Sequence, residues 1–151
     1  MKIVVGKPHP EIGDTWGSAF IPMIVNDCTG AQYFEIWVTH DLSKNLNFQF
    51  CFYELSGEPW LLGEDKEYLI EVLPNQFQSV LTNQWFMQSL TPGFAGRVRI
   101  PVSSLVVANW YNGPAKDNEL NLAAMSHLQF GINVANFTDA VINVDAFKFA
   151  K

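Results

Sequence analysis

Leu46-Asn47-Phe48-Gln49-Phe50-Cys51-Phe52-Tyr53-Glu54-Leu55 puts a phenylalanine at every second position from 48 to 52. Side chains alternate across an extended chain, so Phe48, Phe50 and Phe52 share one face and Gln49, Cys51 and Tyr53 the other. A helix would scatter these rings around its axis. The stretch is therefore a strand with a buried aromatic face and a neutral, polar outer one.

The same period recurs on both sides. Phe34, Ile36 and Val38 alternate with Tyr33, Glu35 and Trp37; Val98, Ile100 and Val102 with Arg97, Arg99 and Pro101; Leu128, Phe130, Ile132 and Val134 with Gln129, Gly131 and Asn133. Residues 17–25 are apolar on both faces and contain Pro22, which suits an edge strand. EPWLL, EYLIEVL and NQWFMQSL supply further strands, and AVINVDAFKFA closes the chain. Turn-forming stretches such as LSGEP, LGEDKE, TPGFAG and NGPAKDNE separate these runs at short intervals. Residues 120–128 (LNLAAMSHL) are the one helix candidate, good for a turn or two. These observations predict an all-β fold, a β-sandwich of two antiparallel sheets, with 1–151 as a single module.

Charged residues make up 16% of the 151 residues, against about 25% in an ordinary soluble domain. Amides, hydroxyls and 12 Phe, 5 Trp and 4 Tyr take their place, which suits a neutral, hydroxyl-rich ligand. The net charge of −6 and nine scattered Lys and Arg argue against nucleic acid and against an anionic membrane surface. No apolar run approaches the ~18 residues of a membrane span, and the N-terminus lacks a signal-peptide core. That fits either a cytoplasmic protein or a module taken from a larger secreted chain. Cys28 and Cys51 do not make a disulfide framework and are expected as two thiols.

Residues 90–105, LTPGFAGRVRIPVSSL, followed by LNLAAMSHLQFGIN and VINVDAFKF, resemble the C-terminal half of the jelly-roll carbohydrate-binding modules of bacterial plant-cell-wall-degrading enzymes. The resemblance implies a galactose-binding-like jelly roll that binds β-glucan on a concave sheet and has no catalytic activity. It also implies a monomeric module of a larger extracellular protein. Many such modules hold a structural calcium. On that basis Asp145, with Asp14 and Glu11, is the expected ligand set, although no compact Asp-x-Asp run accompanies it.

A β-1,4-linked glucan offers apolar C–H faces and hydroxyl edges. Flat rings stack under the faces, and planar amides or guanidinium groups bind the edges. The outward residues Gln49, Tyr53, Arg97, Arg99, Gln129 and Asn133 are the expected polar set. Trp60, Trp110 and Tyr111, beside turns, are expected as rings displayed at a rim, and Trp85 as a further one. Trp37 and Trp16 read as structural. Catalysis finds little support: His9, His40 and His127 lack metal-ligand spacing, and Glu35, Glu54, Glu58 and Glu71 form no evident pair for glycoside hydrolysis. The competing interpretations are a protein-interaction sandwich using the same aromatic surface, and a glycosidase of sandwich fold.

Overall fold

The computed structural model describes residues 2–5, 16–23, 27–82, 88–114, 116–133 and 140–151. They form twelve strands: β1 (Lys2–Val5), β2 (Trp16–Pro22), β3 (Tyr33–His40), β4 (Leu46–Glu54), β5 (Pro59–Leu62), β6 (Glu67–Leu73), β7 (Gln76–Leu81), β8 (Gln88–Leu90), β9 (Ala95–Pro101), β10 (Leu105–Val107), β11 (Met125–Asn133) and β12 (Ala140–Ala150). Sheet A runs β1-β12-β3-β9-β6-β7; sheet B runs β10-β5-β4-β11-β2, with β8 also paired to β4. Every pairing is antiparallel. This is the expected two-sheet sandwich.

The core lies where the period-two faces meet. Phe48, Phe50 and Phe52 from β4 and Phe130 from β11 face Phe34, Ile36 and Val38 from β3 and Val98 and Ile100 from β9, all buried. Phe34 and Phe52 stack across the two sheets with centroids 4.2 Å apart, an arrangement in which ring contact adds to the area removed from water. β2 pairs only with β11 and ends at Pro22 on the edge of sheet B, where a missing N–H leaves no ladder bond unmade.

Three strands, β1, β7 and β10, lie outside the sequence expectation. β7 sits at the edge of sheet A, mostly exposed on both faces, so it carries no apolar period. β10 has three residues, and β1 four. The expected helix at 120–128 is instead a single 3-10 turn, Leu122–Ala124, running directly into β11. Asn121 caps that turn by accepting the N–H of Ala123, but the apolar run beyond it pairs with β4.

β12 contains a bulge. Its register against β3 shifts between Asp145 and Lys148, and Ala146 takes a left-handed φ of 51°. Ile142 and Val144 are buried before it; Phe147 and Phe149 pack on the core after it. The extra residue moves Lys148 to the outer face opposite Glu35.

Candidate functional site

The outer face of sheet B is built in cross-strand rows. One row runs Leu61, Cys51, Gln129, Phe20; the next runs Gln49, Gly131, Ser18; a third runs Pro59, Tyr53, His127, Pro22. The Tyr53 hydroxyl donates to Gln129 Oε1 at 3.0 Å, which fixes that amide. Tyr53 also stacks on His127, centroids 4.3 Å apart and nearly parallel, and Phe20 tilts against the same imidazole. Burial holds the His127 pKa below its ordinary value, so the ring is neutral at neutral pH.

The segment after β10 folds back over this face. Ala108 N–H donates to the Pro59 carbonyl, and Tyr111 N–H closes a turn onto the Ala108 carbonyl. Tyr111, Tyr53 and Ala108 then cover Cys51 and Leu61, a small apolar cluster on the outer side of the sheet. That cover pushes the Cys51 thiol up to about 12, mainly by burial, so it is a packing group rather than a nucleophile. The missing Cβ of Gly113 leaves the space that the end of the Tyr111 ring occupies, and a side chain there would make the ring shift. The turn raises Trp110, 55% exposed, edge-on to Tyr111. Trp110 stands over a cleft of about 200 Å³ lined by Ser18, Gln49, Cys51, Gln129 and Gly131. No carboxylate lines this cleft among the described residues.

Five of the expected site residues thus converge: Gln49, Tyr53, Gln129, Trp110 and Tyr111. Others do not. Trp60 pairs with Phe52, so it shares the inward face; it is 5% exposed and belongs to the core. Its expected place at a rim is corrected: the phase of β5 is set by Pro59 pairing with Tyr53, and PWLL itself carries no alternation. Arg97 and Arg99 lie on β9 in sheet A, the opposite side of the sandwich, so they do not join the amides on one face. Asn133 ends β11 opposite Trp16, but the side chains of both lie outside the described residues, as does Trp85.

The two arginines serve a charged network instead. Arg97 is bidentate to Glu71 and donates to Asn75 Oδ1 at 2.8 Å. Arg99 meets Glu35 at 2.6 Å and lies 3.9 Å over the Phe77 ring. Lys148 meets Glu35 at 2.8 Å. The hydrogen bonds from Arg97, opposed by burial, hold the Glu71 carboxyl down at about 2. Burial of Glu35 would raise its pKa, yet contacts with Lys148 and Arg99 outweigh it and the value is lowered.

Glu54 and Glu58 are both buried at the β4–β5 turn and face no cleft described here. Of the calcium ligands expected from the resemblance, Asp14 and Glu11 lie outside the described residues. Asp145 is exposed, with its carboxylate accepting the Ala146 N–H. Among the described residues no three acidic, His or Cys side chains gather as a metal site. Phe20, 59% exposed at the edge of the site, is a surface ring that the sequence does not single out, and Trp37, expected as structural, is 38% exposed on the outer face of sheet A.

No protein-family model matches the sequence, and no curated protein is significantly similar to it. Solved structures do match. One is the family 11 carbohydrate-binding module from Clostridium thermocellum in complex with a β-1,3-1,4-mixed-linked tetrasaccharide, at a TM-score of 0.53 and 15% identity, covering 89% of this chain and 67% of that one. The fold is the jelly roll of these modules. A second is the family 11 module of the cellulosomal cellulase Lic26A-Cel5E of the same organism, at TM-score 0.51 and 15% identity, covering 89% and 66%. The chain spans about two thirds of the length of each.

Proposed function

We propose that this chain is a non-catalytic β-glucan-binding module whose site is the outer face of sheet B. The observation that carries this is the Trp110 ring, displayed over an uncharged cleft floored by Gln49 and Gln129. A pyranose ring laid there puts a C–H face on the indole and its hydroxyls within reach of the two amides. Tyr53 orients Gln129 through a bond to its carbonyl, so the amide nitrogen is the group presented as donor. Phe20, on the outermost strand, continues the row past Gln129 and adds an exposed ring at its end.

The jelly roll shared with two family 11 modules, one of them holding a mixed-linkage tetrasaccharide, supports a mixed-linkage or β-1,4-glucan ligand, with xyloglucan as a decorated variant. No carboxylate lines the cleft among the described residues, which supports binding without hydrolysis, a reaction that requires two flanking carboxyl groups. No cofactor is needed for such contacts. The chain then acts as one monomeric module of a longer extracellular protein, directing a linked enzyme or scaffold to polysaccharide.

Native gels containing barley β-glucan, xyloglucan, hydroxyethylcellulose, xylan or galactomannan, with sugar release assayed in parallel, test this. Retardation by a β-glucan without release is expected. Trp110→Ala should weaken it about tenfold, the equivalent of ~1.4 kcal/mol, with melting unchanged. No retardation by any polymer would sink the proposal and favour a protein-docking surface; sugar release would favour an enzyme.

A further inference from the structure

The opposite face of the sandwich carries a larger cleft, about 470 Å³, between Trp37 on β3 and the β6–β7 turn. Its position is unusual for a tryptophan. β3 lies between β12 and β9 inside sheet A, and Trp37 is flanked in its row by Asp145 and Arg97. A ring on a charged outer face can lie flat on the sheet and be covered by long side chains. Trp37 instead stays 38% exposed and forms one wall of an open trough, with Val72 and Leu73, both about half exposed, on the hairpin that lines it too.

The polar groups in this cleft are fixed and mutually neutralised. Glu71 accepts two hydrogen bonds from the Arg97 guanidinium, a third from the Arg97 backbone N–H, and one from the Asn75 N–H at 2.7 Å. Asn75 holds a left-handed φ of 62° at the turn, and its carboxamide oxygen accepts from Arg97 Nη2. The amide nitrogen of Asn75 is thereby the donor that the turn offers. The strong depression of the Glu71 carboxyl, owed first to Arg97, keeps the pair ionised and internally balanced across the ordinary pH range. A phosphate or carboxylate ligand would have to compete with Glu71 for Arg97. A neutral ligand would not: it can share the outer lone pairs and N–H groups of the pair while resting an apolar face on the indole.

We infer that the cleft between Trp37 and the β6–β7 turn is a second binding site for a neutral pyranose, on the opposite side of the sandwich from the Trp110 cleft. It shares only one premise with the first site, that this chain binds sugar, and uses none of its residues. Two sites facing away from each other would let one module hold two polysaccharide chains, or two segments of one chain, and so cross-link them.

The test is an NMR titration of the full chain with a mixed-linkage β-glucan tetrasaccharide, cellotetraose, xylotetraose and galactose in turn, following the Trp37 and Trp110 indole N–H signals separately. Both signals should shift, with independent midpoints. Trp37→Ala should leave the Trp110 midpoint within about twofold of wild type, as two independent sites require. Leu73→Asp, an exposed change that leaves the indole in place, should weaken the Trp37 transition alone by several-fold. Shifts at Trp110 with a silent Trp37 for all four sugars would overturn the second site and leave the first standing. Shifts at Trp37 with a silent Trp110 would do the reverse, and two silent indoles would overturn both.

Discussion

On the outer face of sheet A, Glu35 and Glu71 hold Arg97, Arg99 and Lys148 in a closed network. The outer face of sheet B carries Gln49, Gln129, Tyr53 and His127, with no ion pair among the described residues. Both faces are polar, and both present rings. The difference lies in where the polar atoms are directed. On sheet A these five charges have partners on neighbouring strands, so the network fixes the sheet. On sheet B Gln49 and Gln129 line a cleft together with the Trp110 ring, and neither carries a charge. A face of paired charges can meet a neutral ligand through a ring and the outer edges of its ion pairs, whereas a face of amides meets it through the amides themselves.

That contrast is open to attack at several points. The largest effect is expected between the faces, in the core. Trp60→Ala should cost about 3–5 kcal/mol in chemical denaturation, the range for a large ring removed from a packed interior, while the folded fraction still binds glucan. Near wild-type stability would mean that Trp60 is not interred as described.

Arg97→Ala tests the claim that sheet A's charges are structural. It strands Glu71, so a loss of about 1.5–3 kcal/mol is expected at neutral pH. Glu71 is held below its ordinary value of 4.5 at about 2, so the stability it contributes is complete above 4.5 and lost as pH falls toward 2. The gap between Arg97→Ala and wild type should close over that interval. A gap that persists at pH 2 would show that lost packing, not charge, is responsible.

Glu58 offers the opposite case, a carboxylate with no ion pair among the described residues. It is 0% exposed, neither oxygen makes a well-formed hydrogen bond, and Asp117 and Glu54 lie near. Burial first, then those two charges, raise its pKa, so the folded state favours the neutral acid and loses stability as pH rises through that value. Glu58→Gln, which resembles the neutral acid, should raise the melting temperature by about 2–4 °C at pH 8. The gain should vanish at pH 4; an equal gain at both would point to packing instead. The smallest effect is expected for Tyr53→Phe, which frees Gln129 to rotate. Glucan affinity should fall about two- to fivefold, in line with the ~0.5–1 kcal/mol of a neutral hydrogen bond, and unchanged affinity would remove Tyr53 from an orienting role.

The core of this sandwich is legible in the chain because large rings at strict alternation, as at Phe48, Phe50 and Phe52, leave one way to bury them all. The amide face follows from the same phase: if the phenylalanines point in, Gln49 and Tyr53 point out. Alternation does not say which sheet a strand joins, and for that reason Arg97 and Arg99 are outward residues on the wrong side. Nor does it fix a strand that is apolar throughout. Pro59-Trp60-Leu61-Leu62 has no phase until its pairing with β4 supplies one. Trp37 sits in a well-formed alternation with Phe34, Ile36 and Val38 buried, so its outward direction was readable; its partial exposure depends on a hairpin distant in sequence.

The bulge at Ala146 gives β12 something like a reading frame. Before it, even-numbered residues face the interior; after it, odd-numbered ones do. Holding Ala146 in unbroken alternation would send Lys148 toward the phenylalanines and Phe147 and Phe149 into water, whereas deleting it would leave all three on their present faces. Ala146 thus acts like an inserted base whose frame the bulge restores, written in faces rather than codons.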